Sequence, residues 1–316
     1  MTALKPVEKV EIVTLADNYV DLVSMDNNEH VTRAMPVKDM VFSNSILAEH
    51  GFSAMLRVTA DGATHSIIMD FGLSPDASAR NAEAMGLDLS QAEAAVLSHG
   101  HVDHFGGMKA VGASVGKKLD LYVHPAAFRK ARFFEPFPGL KITMPVISET
   151  DVKEAGFTPV KTGEPTVLAD GQILFLGEIE RVTGFEKGMP NAFYTADDGE
   201  YLWDPLVDDT ALAVNVAGKG LVVLSGCAHS GIVNTVKHAM KLSGVDKVHA
   251  VIGGFHLSGS AFAQIIDPTV AALAGLSPDF VVPTHCTGRN AGLAFERKFG
   301  EKFLVNMSGT ALTFTS

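Results

Sequence analysis

The sequence predicts an α/β fold whose chemically active side chains sit in loops at one edge of a sheet, and three observations carry that prediction. A short apolar run, Ala94-Ala95-Val96-Leu97, leads into Ser98-His99-Gly100-His101-Val102-Asp103-His104-Phe105-Gly106-Gly107, after which Met108-Lys109-Ala110-Val111 can open a helix. The back half repeats that plan three times, each unit an apolar strand ending in a loop that carries a histidine. Helical segments near residues 232–243 and 268–275 separate the units, and such repetition brings the loops to the same sheet edge.

Taken in order, Val10-Glu11-Ile12-Val13-Thr14-Leu15 alternates weakly and reads as a first strand ending in the turn Asp17-Asn18-Tyr19. Residues 24–40 are polar and irregular, so they read as a long loop. The turn Glu49-His50-Gly51 precedes a strand over 52–58, and another strand over 66–72 ends in Asp70-Phe71-Gly72. A carboxylate at Asp70 either orients a ligand histidine from behind or simply supplies turn chemistry. Residues 76–89 look helical, with apolar positions at Ala77, Ala84, Met85 and Leu87.

Past the histidine-rich loop, Leu119–Val123 is a strand that His124 ends just before Pro125, a placing more usual for a structural histidine than for a ligand. Phe128-Arg129-Lys130-Ala131-Arg132-Phe133-Phe134 is the one dense basic patch. Such a run is most often a solvated helix face, and it can also dock a phosphate or carboxylate on a substrate. The stretch at about 125–200 reads as an insertion that covers or shapes a cleft within a single domain spanning 1–316. Pro190-Asn191-Ala192-Phe193-Tyr194 and Trp203 are candidates for its apolar walls.

Four ligand-type residues fall within residues 99–104: His99, His101, Asp103 and His104. His99 and His101 leave extended backbone on the same side, and the adjacent Asp103 and His104 suit a turn that feeds two nearby ions. Imidazole with carboxylate suits zinc, and also iron, manganese or nickel. Two ions about 3.5–4 Å apart can share a hydroxide and clamp substrate oxygens. A polar turn with surplus histidines is the plainer alternative, and this density of ligands argues against it. The three strand-end units, Gly226-Cys227-Ala228-His229-Ser230-Gly231, Gly253-Gly254-Phe255-His256-Leu257 and Thr284-His285-Cys286, each have a dull alternative too, a histidine satisfied by backbone or water.

With 47% apolar and 19% charged residues the chain is ordinary for a globular protein with a sizeable core. A net charge of −11 disfavours nonspecific attraction to nucleic acid or anionic membrane. Two cysteines, Cys227 and Cys286, do not make a disulfide framework, and their histidine neighbours favour a reduced compartment. No signal-peptide pattern opens the sequence and no run approaches a membrane span of about 18 residues, so the expected location is cytoplasmic. The expected partner is a small molecule, anionic if the basic run docks it, with a homo-oligomer left open.

The motif His99-x-His101-x-Asp103-His104 after an apolar strand, followed by Gly106-Gly107, resembles the signature of the metallo-β-lactamase superfamily. The resemblance implies a four-layer αββα sandwich with two divalent metal ions, zinc first and iron or manganese as alternatives, at one edge of its two sheets. It implies that His285 is the last ligand, and that Cys227 stands where many relatives have a bridging aspartate. The Gly-His-Thr segment of relatives is absent, and Asp208-Asp209-Thr210 lies roughly in its place. His229 is then expected to complete the coordination, giving a metal set of His99, His101, Asp103, His104, His229, His285 and Cys227.

The narrower set Asp17-Asn18-Tyr19, Ala48-Glu49-His50-Gly51-Phe52-Ser53, the Cys227 and His256 loops and Pro283-Thr284-His285-Cys286-Thr287-Gly288 is similar to one branch of the superfamily. That branch includes metal-dependent hydrolases and the archaeal dihydropterin-6-ylmethyl-(ribofuranosyl)aminobenzene phosphate synthases. The leading expectation is a hydrolase in which a metal-bound hydroxide attacks an ester, lactone, amide or phosphoester. Asp103 would hold metal and orient the hydroxide, while His256 or His50 would protonate the leaving group. A pterin-type transferase is the alternative, and a non-catalytic metal-binding protein the weaker one.

Overall fold

The computed structural model describes residues 4–35, 37–42, 45–190, 192–197 and 200–316. Asn191, expected in an apolar wall, lies outside them, as does the Met1-Thr2-Ala3 start. Two sheets form the centre. The larger runs, in spatial order, Phe157–Lys161, Leu119–Val123, Ala94–Leu97, Ala63–Met69, Ser53–Ala60, Lys9–Ala16, Thr310–Thr315 and Val31–Arg33. The second runs Thr166–Leu168, Ile173–Phe175, Ala211–Val216, Gly220–Ser225, Val248–Gly254 and Phe280–Thr284, with Pro6–Val7 added beside Ala211–Val216.

Alternation along these strands explains the layering, because successive side chains face opposite sides of a sheet. Val10, Ile12, Leu56, Val58, Ile67 and Val96 of the first sheet pack against Phe175, Leu212, Val214, Leu224, Ile252 and Val282 of the second. The other face of the first sheet, with Val13, Leu15, Ile68 and Leu97, buries apolar residues of helices Ala77–Ala84, Met108–Val115 and Glu149–Glu154. The other face of the second, with Leu221, Val223 and Val251, does so for helices Ile232–Ser243, Ile266–Gly275 and Arg289–Phe299. The result is helices, sheet, sheet, helices, the expected αββα sandwich.

Four expectations change in detail. The helix expected over 76–89 stops at Ala84, because Gly86 turns the chain at φ 67° and a separate turn of 3₁₀ helix follows at Leu89–Gln91. The loop expected over 24–40 contains the strand Val31–Arg33, which pairs with Thr310–Thr315. The basic run is not a solvated helix face: Arg132–Phe134 is a strand and Arg132 is buried.

The stretch at about 125–200 is not one insertion either. Phe157–Lys161 extends the first sheet beside Leu119–Val123, and Thr166–Leu168 with Ile173–Phe175 extends the second. What stands apart is a small sheet of Ile142–Met144, Arg132–Phe134, Phe193–Asp197 and Glu200–Trp203. Its Phe193 ring lies 6.1 Å from that of His101, while Tyr194 stacks on Tyr201 and Trp203 is partly exposed. Among the described residues no helix is long and apolar enough to cross a membrane.

Candidate metal centre

Strand ends from both sheets deliver the candidate ligands. After Ala94–Leu97 the chain makes one short helical turn, Val102–Phe105, which carries Asp103 and His104. That turn is pressed onto the loop after Asp70: Phe71 N donates to His104 O at 2.8 Å, and a Cβ on Gly106 would collide with the Leu73 carbonyl. The second glycine pair member, Gly107, meets Phe71 O in the same way, so the Gly-Gly of the motif is a packing requirement.

Two sets of ligand atoms converge within 4.8 Å and share one sulfur. Asp103, His104, Cys227 and His285 form one set, and His99, Cys227 and His229 the other. His104 Nε2 lies 3.1 Å from Cys227 Sγ, and His99 Nε2 lies 3.0 Å from His229 Nε2. His285 Nε2 is 3.3 Å from Asp103 Oδ2. His101 stands beside them, its ring 4.7 Å from that of His99 and 5.0 Å from that of His229, without entering either set.

The partners behind the rings fix which nitrogen faces inward. Ser98 Oγ donates to Asp70 Oδ2 at 2.7 Å, so it accepts from His99 Nδ1 at 3.0 Å. His104 Nδ1 donates to Asp70 Oδ2 at 2.7 Å, and His285 Nδ1 donates to Asn18 Oδ1 at 3.0 Å. Each ring therefore keeps its Nε2 for the centre, the arrangement that orients metal-binding histidines. His285 Nε2 is buried without a hydrogen-bond partner while it faces the Asp103 carboxylate. A lone pair held against a carboxylate is unfavourable with nothing positive between them. The donor set thus fits a divalent cation.

Electrostatics agree for most of the group. Burial, and then the neighbouring His104, hold His99 well below the ordinary imidazole range, and burial followed by His256 does the same to His229. His101 is pushed down to about 3, by burial first and then by Arg132. These rings are neutral, the state in which imidazole ligates. Burial opposes charge on His104 as well, but Asp70 and Asp103 outweigh it and lift the ring to about 9. A cation bound at its Nε2 would take the place of that proton. Burial favours the neutral acid at Asp103, yet the neighbouring His104 above all holds it below the usual carboxylate range.

Other expected residues sit at the rim or outside. His50 is largely exposed, its Nε2 3.7 Å from Asp103 Oδ2 and its ring 5.0 Å from that of His285. His256 is half-buried with its ring 4.2 Å from that of His229. His256 borders a narrow crevice lined also by Glu186, His229, Phe255, Leu257 and Phe262. His124 is a structural residue: its Nδ1 accepts from Ala126 N at 3.2 Å and caps the turn Pro125–Ala127.

Several supporting residues were named in the sequence without this role. Asp17, fully buried, accepts from His285 N at 2.9 Å and from Asn306 Nδ2 at 2.8 Å, besides a contact with Thr284 Oγ1. Asp208 and Asp209 act on loop backbones. Asp208 Oδ2 accepts from Gly100 N at 2.8 Å and from Arg132 Nη2 at 2.7 Å, and Asp209 Oδ2 accepts from Ser230 N at 2.8 Å. Arg132, read as part of a basic surface, is thus an internal strut. Only the order of loops along the chain hinted at Asp208 and Asp209.

With this geometry in view, comparisons with known proteins are informative. Residues 50–183 match the metallo-beta-lactamase superfamily. The chain is 30% identical over 310 residues to a Methanocaldococcus jannaschii protein named 7,8-dihydropterin-6-methyl-4-(beta-D-ribofuranosyl)-aminobenzene-5'-phosphate synthase, covering 98% of each chain. Among solved structures it is similar to Tm1679, described as a metal-dependent hydrolase of the beta-lactamase superfamily, with a TM-score of 0.73 at 24% identity over 97% of this chain and 100% of that one. It is also similar to zinc-bound PqqB from Methylobacterium extorquens, with a TM-score of 0.50 at 14% identity over 97% and 100% of the two chains. Both structural likenesses speak to the fold.

Proposed function

Because this chain belongs to the metallo-β-lactamase superfamily, we propose that it is a metal-dependent hydrolase acting on an ester, lactone, amide or phosphoester of a small molecule. The observation that carries this reading is the convergence of Asp103, His104, Cys227 and His285 with His99, Cys227 and His229 on one buried sulfur. We assign the two sets to two divalent ions, zinc first and iron or manganese as alternatives, for which Cys227 would be available to either and His101 would add a ligand on the His99 side. Bound there, such ions supply Lewis acidity and make water nucleophilic at neutral pH.

The protein's own groups do the rest. Asp103, between His104 and His285, would fix the geometry of the first set. His50 is exposed enough to exchange protons with solvent and close enough to Asp103 to pass one to a leaving group. His256, against His229 and beside Phe255, Leu257 and Phe262, is the second candidate for that proton transfer. Replacing His104 by Ala should lower metal content and turnover together, measured by plasma mass spectrometry and a screen of esters, lactones and phosphoesters. Unchanged turnover sinks the assignment.

A second reading, a pterin-type transferase, is favoured by the 30% identity spread over 98% of both chains to a protein named as a synthase. It predicts that a pterin or an aromatic amine phosphate binds with quenching of the ligand's fluorescence. Hydrolysis without such binding would remove it.

A further inference from the structure

Cys286 takes no part in the two sets just described, yet it is buried against them. We propose that Cys227, His256 and Cys286 form a further coordination corner, selective for strongly thiophilic cations such as cuprous copper or cadmium. Their ligand atoms lie within 4.8 Å of one another, and both sulfurs are buried. Two thiolates and an imidazole make a soft donor set, whereas the Asp103 corner offers a carboxylate to harder ions.

The backbone is arranged for it. Neighbouring side chains on a strand point to opposite faces, so His285 and Cys286 would ordinarily diverge. His285 instead adopts φ 48°, and the turn that follows brings its ring and the next residue's sulfur to the same cluster. His256 adopts φ 43° on the neighbouring loop, a left-handed conformation that is uncommon in non-glycine residues and concentrates at functional sites. Gly254 leaves the space: a Cβ there would lie 2.6 Å from Cys286 Sγ and 3.2 Å from Cys227 Cα. His256 Nδ1 is buried with no hydrogen-bond partner. Cys286 Sγ donates to the Cys227 carbonyl at a long 3.6 Å.

Since Cys227 also belongs to the other two sets, the corners compete for one sulfur. A thiophilic ion is drawn toward Cys286, and a hard ion toward Asp103. The centre therefore sorts ions by softness, and the inference stands even if the hydrolase reading falls. The test loads the reduced full-length protein with one equivalent of Cd²⁺ and counts sulfur neighbours by X-ray absorption. Two sulfurs are expected; one or none overturns the proposal. In parallel, Cys286→Ser should halve the thiolate-to-cadmium absorption band, and an unchanged band overturns it. Asp103→Asn should leave that band intact while lowering any turnover, which separates this proposal from the hydrolase reading.

Discussion

Replacing Arg132 by Met should destabilise the protein far more than a surface arginine would. The guanidinium is 1% exposed, bonded to Asp208 Oδ2 at 2.7 Å and 3.6 Å from Asp204 Oδ2, and both acids are buried. Met keeps much of the stem's packing but strands two carboxylates in a dry setting. Removing one partner of a buried pair costs about 3–5 kcal/mol. At ~2–4 °C per kcal/mol for a large domain, Tm should fall by at least ~6 °C. The double variant Arg132→Met with Asp208→Asn should recover part of that loss, because the amide oxygen still accepts from Gly100 N without carrying charge. The assay is urea unfolding of metal-loaded protein for wild type, both single variants and the double, analysed as a cycle. An Arg132→Met variant within ~1 kcal/mol of wild type would refute the buried-strut argument.

Other outcomes follow from the same structure. Asp70→Asn keeps an acceptor near Ser98 but loses the carboxylate that holds His104 Nδ1, so metal affinity should drop by about 10–100-fold by competitive chelator titration. Stability should also fall in acid through the Asp26–Arg33 pair. Arg33 Nε and Nη2 donate to the two Asp26 oxygens at 2.8 and 2.6 Å, and these bonds hold the folded pKa below its ordinary 3.8. That contribution is present above the ordinary value and is lost as pH falls through the folded one. Asp26→Asn should flatten this part of the urea-midpoint profile, and an unaltered acid slope would count against the pair.

The sequence made the contiguous part of the centre legible. His99, His101, Asp103 and His104 share one short loop, and the strand-end histidines 229, 256 and 285 recur with the period of a strand–loop–helix unit. The alternating strands likewise announced two buried sheet faces. What stayed hidden was held together across the chain. Asp17 and Asn18 support His285 through bonds spanning 268 and 267 residues, a pairing that neither local pattern specifies. Arg132 was misread because a run of Arg, Lys and Phe looks the same whether one arginine turns outward or lies between two aspartates. Cys286 escaped because adjacent residues normally diverge, and only the left-handed turn at His285 aligns them.

The seam between the two sheets has one more consequence. His99, Asp103 and His104 hang from the first sheet, while Cys227, His229 and His285 hang from the second. A cation gripped by both groups is a cross-link between distant stretches of chain, closing large loops in any partly unfolded form as a disulfide would. It also tethers one half of the sandwich to the other at the edge where the loops meet, while elsewhere Pro6–Val7 joins the second sheet just before the chain enters the first. Stripping the ion should therefore loosen the molecule like a book unclasped, with amide exchange quickening first along the clasped edge and last in the shared core.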